Sequence, residues 1–146
     1  MAVVAGARAD EVRAGLPTEW TVVENPRWAE GRATSLQAGI RAVPDADAYL
    51  FLPVDAAGVR AETVRDILAA AAADPGRVLR PVHGGRKGNV LWVPRAAARD
   101  LLNLPPDARV DEWARPLARE WETSDAAVLR NINTPEDWAQ VVDTLA

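Results

Sequence analysis

Tyr49-Leu50-Phe51-Leu52-Pro53-Val54-Asp55 is the stretch on which the fold turns. Its first four residues are continuously apolar, with no alternation, as a strand covered on both faces of a parallel sheet requires. Pro53 ends the run just before a carboxylate. We therefore expect a central parallel strand that delivers Asp55 to the mouth of a sheet. Upstream, Ala2–Ala5 is a short apolar strand ended by Gly6, Ala9–Ala14 a helix closed by Gly15 and Pro17, and Trp20–Glu24 a second strand broken at Asn25-Pro26. A loop to Ala33 leads into a helix capped by Thr34 or Ser35, in which Leu36, Ile40 and Val43 recur at helical spacing before Pro44 stops it.

Downstream the pattern predicts helix Ala61–Ala73, strand Val78–Val82, a Gly-rich turn His83–Gly88 and strand Val90–Val93, the two strands disposed as a hairpin. Helices over Arg95–Leu102 and Val110–Glu120, a short strand Ala127–Arg130 and a closing helix Pro135–Leu145 complete the chain. The last helix has a marked start: Thr134 as N-cap, Pro135 at the first helical position and Asp137 three residues after the cap, a capping box with Asp in place of Glu or Gln. Strands alternating with helices imply an α/β class, a three-layer Rossmann-like arrangement of one mostly parallel sheet with helices on both faces. Ligands then bind beyond the carboxyl ends of the strands. This directs attention to three loops, Asn25–Ser35, Pro53–Val59 and Asn131–Thr134.

With 146 residues, 49% hydrophobic and 26% charged, the chain has the size and balance of one globular domain spanning 1–146. Seventeen Lys and Arg against twenty-one Asp and Glu give a net charge of −4, with no basic run, which disfavours a nucleic-acid partner. No cysteine and a single histidine, His83, exclude disulfides, thiolate zinc sites, cysteine nucleophiles and paired-histidine metal sites. Any chemistry must use oxygen ligands. No apolar stretch approaches the roughly 20 residues that span a bilayer, and the first residues lack the pattern of a secretory signal. The expected location is cytoplasmic.

Asp55, three residues beyond Leu52, suits a hard cation such as Mg²⁺ held with waters and phosphates; the alternative is a turn aspartate bonded to nearby backbone. The loop from Asn25 to Ser35 joins Gly31, two arginines and a hydroxyl-bearing helix start, whose free N–H groups attract phosphate; plain helix capping explains it equally well. Gly84-Gly85-Arg86-Lys87-Gly88 fits neither the phosphate-loop nor the dinucleotide fingerprint and reads alone as a solvated hairpin tip, with His83 a loop histidine. The six tryptophans are scattered anchors and not a stacking platform.

Taken in order, Asn25-Pro26-Arg27-Trp28, Gly31, Ser35-Leu36, Gly39, Leu52-Pro53-Val54-Asp55, Pro81, Gly85-Arg86-Lys87-Gly88 and Asn131-Ile132-Asn133-Thr134-Pro135-Glu136-Asp137 resemble the MobA-like nucleotidyltransferases over nearly the whole chain. Within that group the chain looks closest to the molybdenum-cofactor cytidylyltransferase branch, which joins CMP from CTP to molybdopterin and releases pyrophosphate. The resemblance implies the nucleotide-diphospho-sugar transferase type of fold. It places Asp55 as the catalytic Mg²⁺ ligand, Asn131 and Asn133 in the segment that supplies further metal ligands, Gly31, Ser35 and Gly39 beside the nucleotide, and Arg86 and Gly88 on the acceptor side. CTP or GTP and a molybdopterin-like acceptor are the implied partners.

The chain also departs from that family. Val3-Val4-Ala5-Gly6-Ala7-Arg8 aligns with the family's second strand, so the first strand and its Gly-rich, Arg- and Lys-bearing triphosphate loop have no counterpart. Ala56-Ala57-Gly58 follows Asp55 where relatives carry proline, Gly88-Asn89-Val90 stands for Gly-His-Pro, and Asn131 and Asn133 offer neutral oxygens. The first strand lies inside the family's sheet, so two neighbouring strands should expose unpaired edges, which a second copy or another chain would cover. Alternatives to an enzyme are a non-catalytic binding or assembly module, or a fragment of a longer enzyme.

Overall fold

In a computed structural model, which describes residues 1–145, the chain forms seven strands and six α-helices. These are β1 (Ala2–Ala5), α1 (Ala9–Gly15), β2 (Thr21–Glu24), α2 (Arg32–Ala42), β3 (Ala48–Phe51), α3 (Ala61–Ala72), β4 (Val78–His83), β5 (Arg86–Lys87), β6 (Leu91–Pro94), α4 (Arg95–Leu102), α5 (Val110–Ala114), β7 (Ala118–Glu122) and α6 (Pro135–Leu145). Single 3₁₀ turns cover Trp28–Glu30 and Ala126–Leu129. Two compact units result: Met1–Tyr49 with Arg95–Pro116, and Leu50–Pro94 with Leu117–Ala146. Among the described residues no helix is long and apolar enough to cross a membrane.

In the first unit β1 and β2 pair in parallel, Val3 opposite Val22 and Val4 opposite Val23. Helix α2 buries Ala33, Leu36, Gln37 and Ile40, one face at helical spacing. The polar member of that face is satisfied: Gln37 Nε2 donates to the carbonyls of Leu101 (3.1 Å) and Leu104 (2.9 Å) and so caps the exit of α4. The helix starts at Arg32, earlier than Thr34 or Ser35, because Gly31 takes the N-cap position at φ 143°, ψ 162°, a conformation essentially restricted to glycine. A Cβ there would collide with the Pro106 carbonyl.

In the second unit β4 is the hub. It pairs with β7 in parallel from Val78 opposite Ala118 to Val82 opposite Glu122, and antiparallel with β5 and β6. The expected hairpin is thus present. Val78, Leu79, Val90, Leu91 and Val93 are essentially buried, and Ile67 of α3 packs with no exposed surface. An isoleucine so placed contributes about 1.5–3 kcal/mol through burial.

Three expectations are corrected. The segment Tyr49–Leu52 is not a central strand: β3 terminates the sheet in the order β3-β6-β4-β5, and all four of its residues are only half-buried. Continuous hydrophobicity marked apolar surroundings but not the number of neighbours. The helix expected over Val110–Glu120 ends at Ala114, since Pro116 cannot continue it, and Ala118–Glu122 becomes β7 because β4 offers it a full parallel register. The strand expected at Ala127–Arg130 is a 3₁₀ turn, closed by the Asp125 side chain accepting from Ala127 N at 3.0 Å. Among the described residues, β1 pairs with β2 in a two-stranded sheet, and β3 stands at one end of the larger sheet.

Candidate functional site

Asp55 lies in the turn after β3, and its neighbours come from the end of the chain. Ile132 N donates to the Asp55 carbonyl at 3.0 Å, which sets Asn131 and Asn133 on either side of that link. Asp55 is half-buried, and its Oδ1 is fully enclosed with no hydrogen-bond partner among the described residues. A buried oxygen left without a donor costs about 1–3 kcal/mol. No backbone N–H is bonded to that oxygen among the described residues.

Asn131 and Asn133 are exposed. The Asn133 amide nitrogen donates to the Asn131 carbonyl (3.2 Å), leaving its side-chain oxygen uncommitted by that bond. The pair stands just before α6, whose first turn binds the backbone of Asn133. Asp137 Oδ2 accepts from the backbone N–H of both Asn133 and Thr134 (3.0 Å each), and Thr134 Oγ1 accepts from Asp137 N at 3.1 Å, which closes the reciprocal capping box expected from sequence. These backbone donors, Asn133 first, hold the Asp137 carboxyl below its usual range. Arg130, Asn131, Ile132, Asp137, Gln140 and Val141 line a cavity of about 320 Å³.

One carboxylate and two carboxamides are a hard-oxygen set, suited to Mg²⁺ or Mn²⁺ completed by water and phosphate. Among the described residues no group of three His, Cys, Asp or Glu side chains gathers as a metal site. The enclosed Oδ1, unpartnered among the described residues, is the feature that would fit a cation.

Gly88 and Arg86 lie in the same unit. Gly88 is buried, donates to the Pro81 carbonyl at 2.8 Å, and a Cβ would stand 2.9 Å from the Val128 carbonyl, so its small size is a packing requirement. Arg86 is exposed opposite His83 at the tip of the β4–β5 hairpin. His83 is the last residue of β4 and not a loop histidine as expected, because it pairs with Arg86 in the ladder; its ring donates from Nδ1 to the Thr123 carbonyl (2.9 Å).

Gly31, Ser35 and Gly39 belong to the first unit. Gly31 caps α2, and Ser35 and Gly39 lie within it; the preceding loop is bound to the helix start: buried Asn25 donates from Nδ2 to Thr34 Oγ1 (2.9 Å) and Ser35 Oγ (3.0 Å), and Arg27 N donates to Asn25 Oδ1. Arg27 also pairs with Glu30 at 2.8 Å. These bonds account for Asn25 and Thr34 structurally. Asn25, Arg27, Thr34, Gln37 and Arg41 line a cavity of about 350 Å³ in this unit.

Two residues of the second unit were not singled out by sequence. Asp125 accepts from Thr63 Oγ1 (2.6 Å), Arg60 N (3.0 Å) and Ala127 N (3.0 Å), joining the start of α3 to the 3₁₀ turn. Burial opposes its ionisation, but the Thr63 hydroxyl, the two backbone donors and the Arg60 charge outweigh that and lower its pKa. Arg130 donates from Nη1 to the Ala57 carbonyl at 3.0 Å. Ser124-Asp125 ahead of Ala126-Ala127 was the available signal for the first, as a short polar cap before a turn. Nothing local marked the second.

The family model for the MobA-like NTP transferase domain matches residues 1–126. No curated protein matches the chain in sequence. Among solved structures, Rv0371c of Mycobacterium tuberculosis H37Rv, in a complex with manganese, is similar with TM-score 0.74 and 20% identity, over 97% of this chain and 77% of that one. The Rv0371c homolog of Mycobacterium sp. strain JC1 gives TM-score 0.75 and 20% identity over 99% and 74%. Molybdopterin-guanine dinucleotide biosynthesis protein A of Archaeoglobus fulgidus gives 0.71 and 15% over 97% and 77%. At these identities the likenesses show the fold, a Rossmann-like α/β arrangement.

Proposed function

Because the chain belongs to the MobA-like NTP transferase family, we propose that it transfers a nucleotidyl group, CMP from CTP or GMP from GTP, to a molybdopterin-like acceptor with release of pyrophosphate. The observation that carries the reading is the Asp55 carboxylate, whose enclosed Oδ1 has no hydrogen-bond partner among the described residues and whose backbone is tied to the Asn131–Asn133 segment. Asp55 is the catalytic and principal cation ligand, with Asn131 and Asn133 as neutral oxygen ligands. A divalent cation, Mg²⁺ in this reading, would supply charge neutralisation at the phosphates there. Nucleotidyl transfer asks mainly for positioning and electrostatic stabilisation and for no protein nucleophile, in keeping with a chain that has no cysteine and one histidine. Arg86 is then an exposed cation for an anionic acceptor.

The test is thermal stabilisation by CTP and by GTP, each with and without Mg²⁺. A Mg²⁺-dependent shift with one nucleotide, lost in Asp55→Asn, supports the reading; no shift at millimolar ligand refutes it. A second reading, an assembly module without catalysis, is favoured by the terminal places of β1 and β3 in their sheets and by the commitment of the Ser35 hydroxyl to Asn25. In either reading those edges are where a second copy or a partner chain adds. Light scattering that finds a monomer at micromolar concentration removes that part.

A further inference from the structure

The turn from Pro53 to Val59 is short of internal bonds. Within it Ala56 N donates to the Pro53 carbonyl at 3.0 Å, and Gly58 reverses the chain at φ 82°. Among the described residues, its other anchors come from one segment. Ile132 N grips the Asp55 carbonyl, and two residues earlier the Arg130 guanidinium grips the Ala57 carbonyl, two residues later in the turn. Between the gripped carbonyls, Ala56 is sealed in at 1% exposure.

The geometry points to Arg130 as the positioning residue for Asp55, an inference that rests on the reading of Asp55 as the cation ligand. Arg130 is itself firmly based. Its backbone N–H closes on the Ala127 carbonyl at 3.0 Å, and the 3₁₀ turn containing Ala127 is fastened to α3 through buried Asp125. A planar guanidinium placed from that base sets the height of the Ala57 carbonyl, and with it the direction in which the Asp55 side chain leaves the turn. The half-buried Ala57 carbonyl can take water when the guanidinium is removed, so loss of Arg130 loosens the turn without unfolding the unit. Outer groups that orient metal ligands characteristically affect metal affinity more than fold.

The experiment measures two quantities on the full chain: amide hydrogen exchange over residues 54–59 without metal, and Mn²⁺ affinity by electron paramagnetic resonance. Arg130→Met should speed exchange in that segment and weaken Mn²⁺ binding by about 10- to 100-fold. Arg130→Lys, which keeps one donor and the charge, should fall between, and added guanidinium should restore part of the affinity of Arg130→Ala. Arg130→Lys carries the test if the other variants fail to fold. Unchanged exchange and affinity overturn the inference, and so does faster exchange with wild-type affinity, which leaves Arg130 a plain structural clamp. Absence of Mn²⁺ binding by the unsubstituted protein refutes the cation reading first and is recognised before any variant is made.

Discussion

Replacing Asp125 by alanine removes the acceptor for three donors at once: the Thr63 hydroxyl, Arg60 N–H and Ala127 N–H. Thr63 and Ala127 are buried, whereas Arg60 is exposed enough for water to replace the lost bond. With about 1–3 kcal/mol for each buried donor left unmet, Asp125→Ala should cost about 3 kcal/mol. Asp125→Asn keeps an oxygen for one side of the junction and should cost about half as much. The carboxylate also has a pH signature. Its folded pKa is lowered relative to the unfolded chain, so its stabilisation is complete above the ordinary carboxylate pKa of about 3.9 and is lost as pH falls toward the folded value. Urea unfolding followed by circular dichroism, repeated from about pH 6 down to about pH 3, should therefore show the gap between wild type and Asp125→Asn narrowing on acidification. A cost for Asp125→Ala below about 1 kcal/mol, or a gap that widens as acid is added, refutes this account of the junction.

Gly31→Ala should destabilise by about 3 kcal/mol, read from a urea midpoint, because it combines a backbone conformation closed to alanine with a collision against the Pro106 carbonyl. Thr134→Ala should cost about 1 kcal/mol and quicken amide exchange in the first turn of α6. Acid should have the same local effect on exchange in wild type: the folded Asp137 pKa is lowered, so its grip on the Asn133 and Thr134 N–H groups holds above the ordinary carboxylate range and fails below it.

Much of the fold was legible where one signal sufficed. Helix α2 showed in the spacing of Leu36 and Ile40, both buried on one face, and α6 showed in Thr134, Pro135 and Asp137. What failed depended on partners remote in sequence. Ala118–Glu122 is composed of good helix formers with a single aromatic, and only the parallel ladder with β4 makes it a strand. Tyr49–Phe51 looked central because apolar character does not reveal how many strands lie alongside. At the candidate site, Asp55 and the Asn131–Asn133 segment were singled out by type and order, while the backbone bond from Ile132 that links them carried no sequence signal. Arg130 and Asp125 were not found, because their work consists of bonds to main-chain atoms about 70 residues away, Arg130 to Ala57 and Asp125 to Arg60, and side-chain pattern carries no trace of such bonds.

The half-exposed strand β3 has a consequence for how the chain behaves in concentrated solution. Ala-Tyr-Leu-Phe-Leu is uncharged and rich in β-forming residues, the composition that seeds intermolecular stacking when an edge is bare. It is bounded by gatekeepers: Pro44, Asp45 and Asp47 on one side, Pro53 and Asp55 on the other. Asp55 thus has a second duty, since the charge that would attract a cation also repels another copy's edge, and neutralising it weakens one of the guards against precipitation.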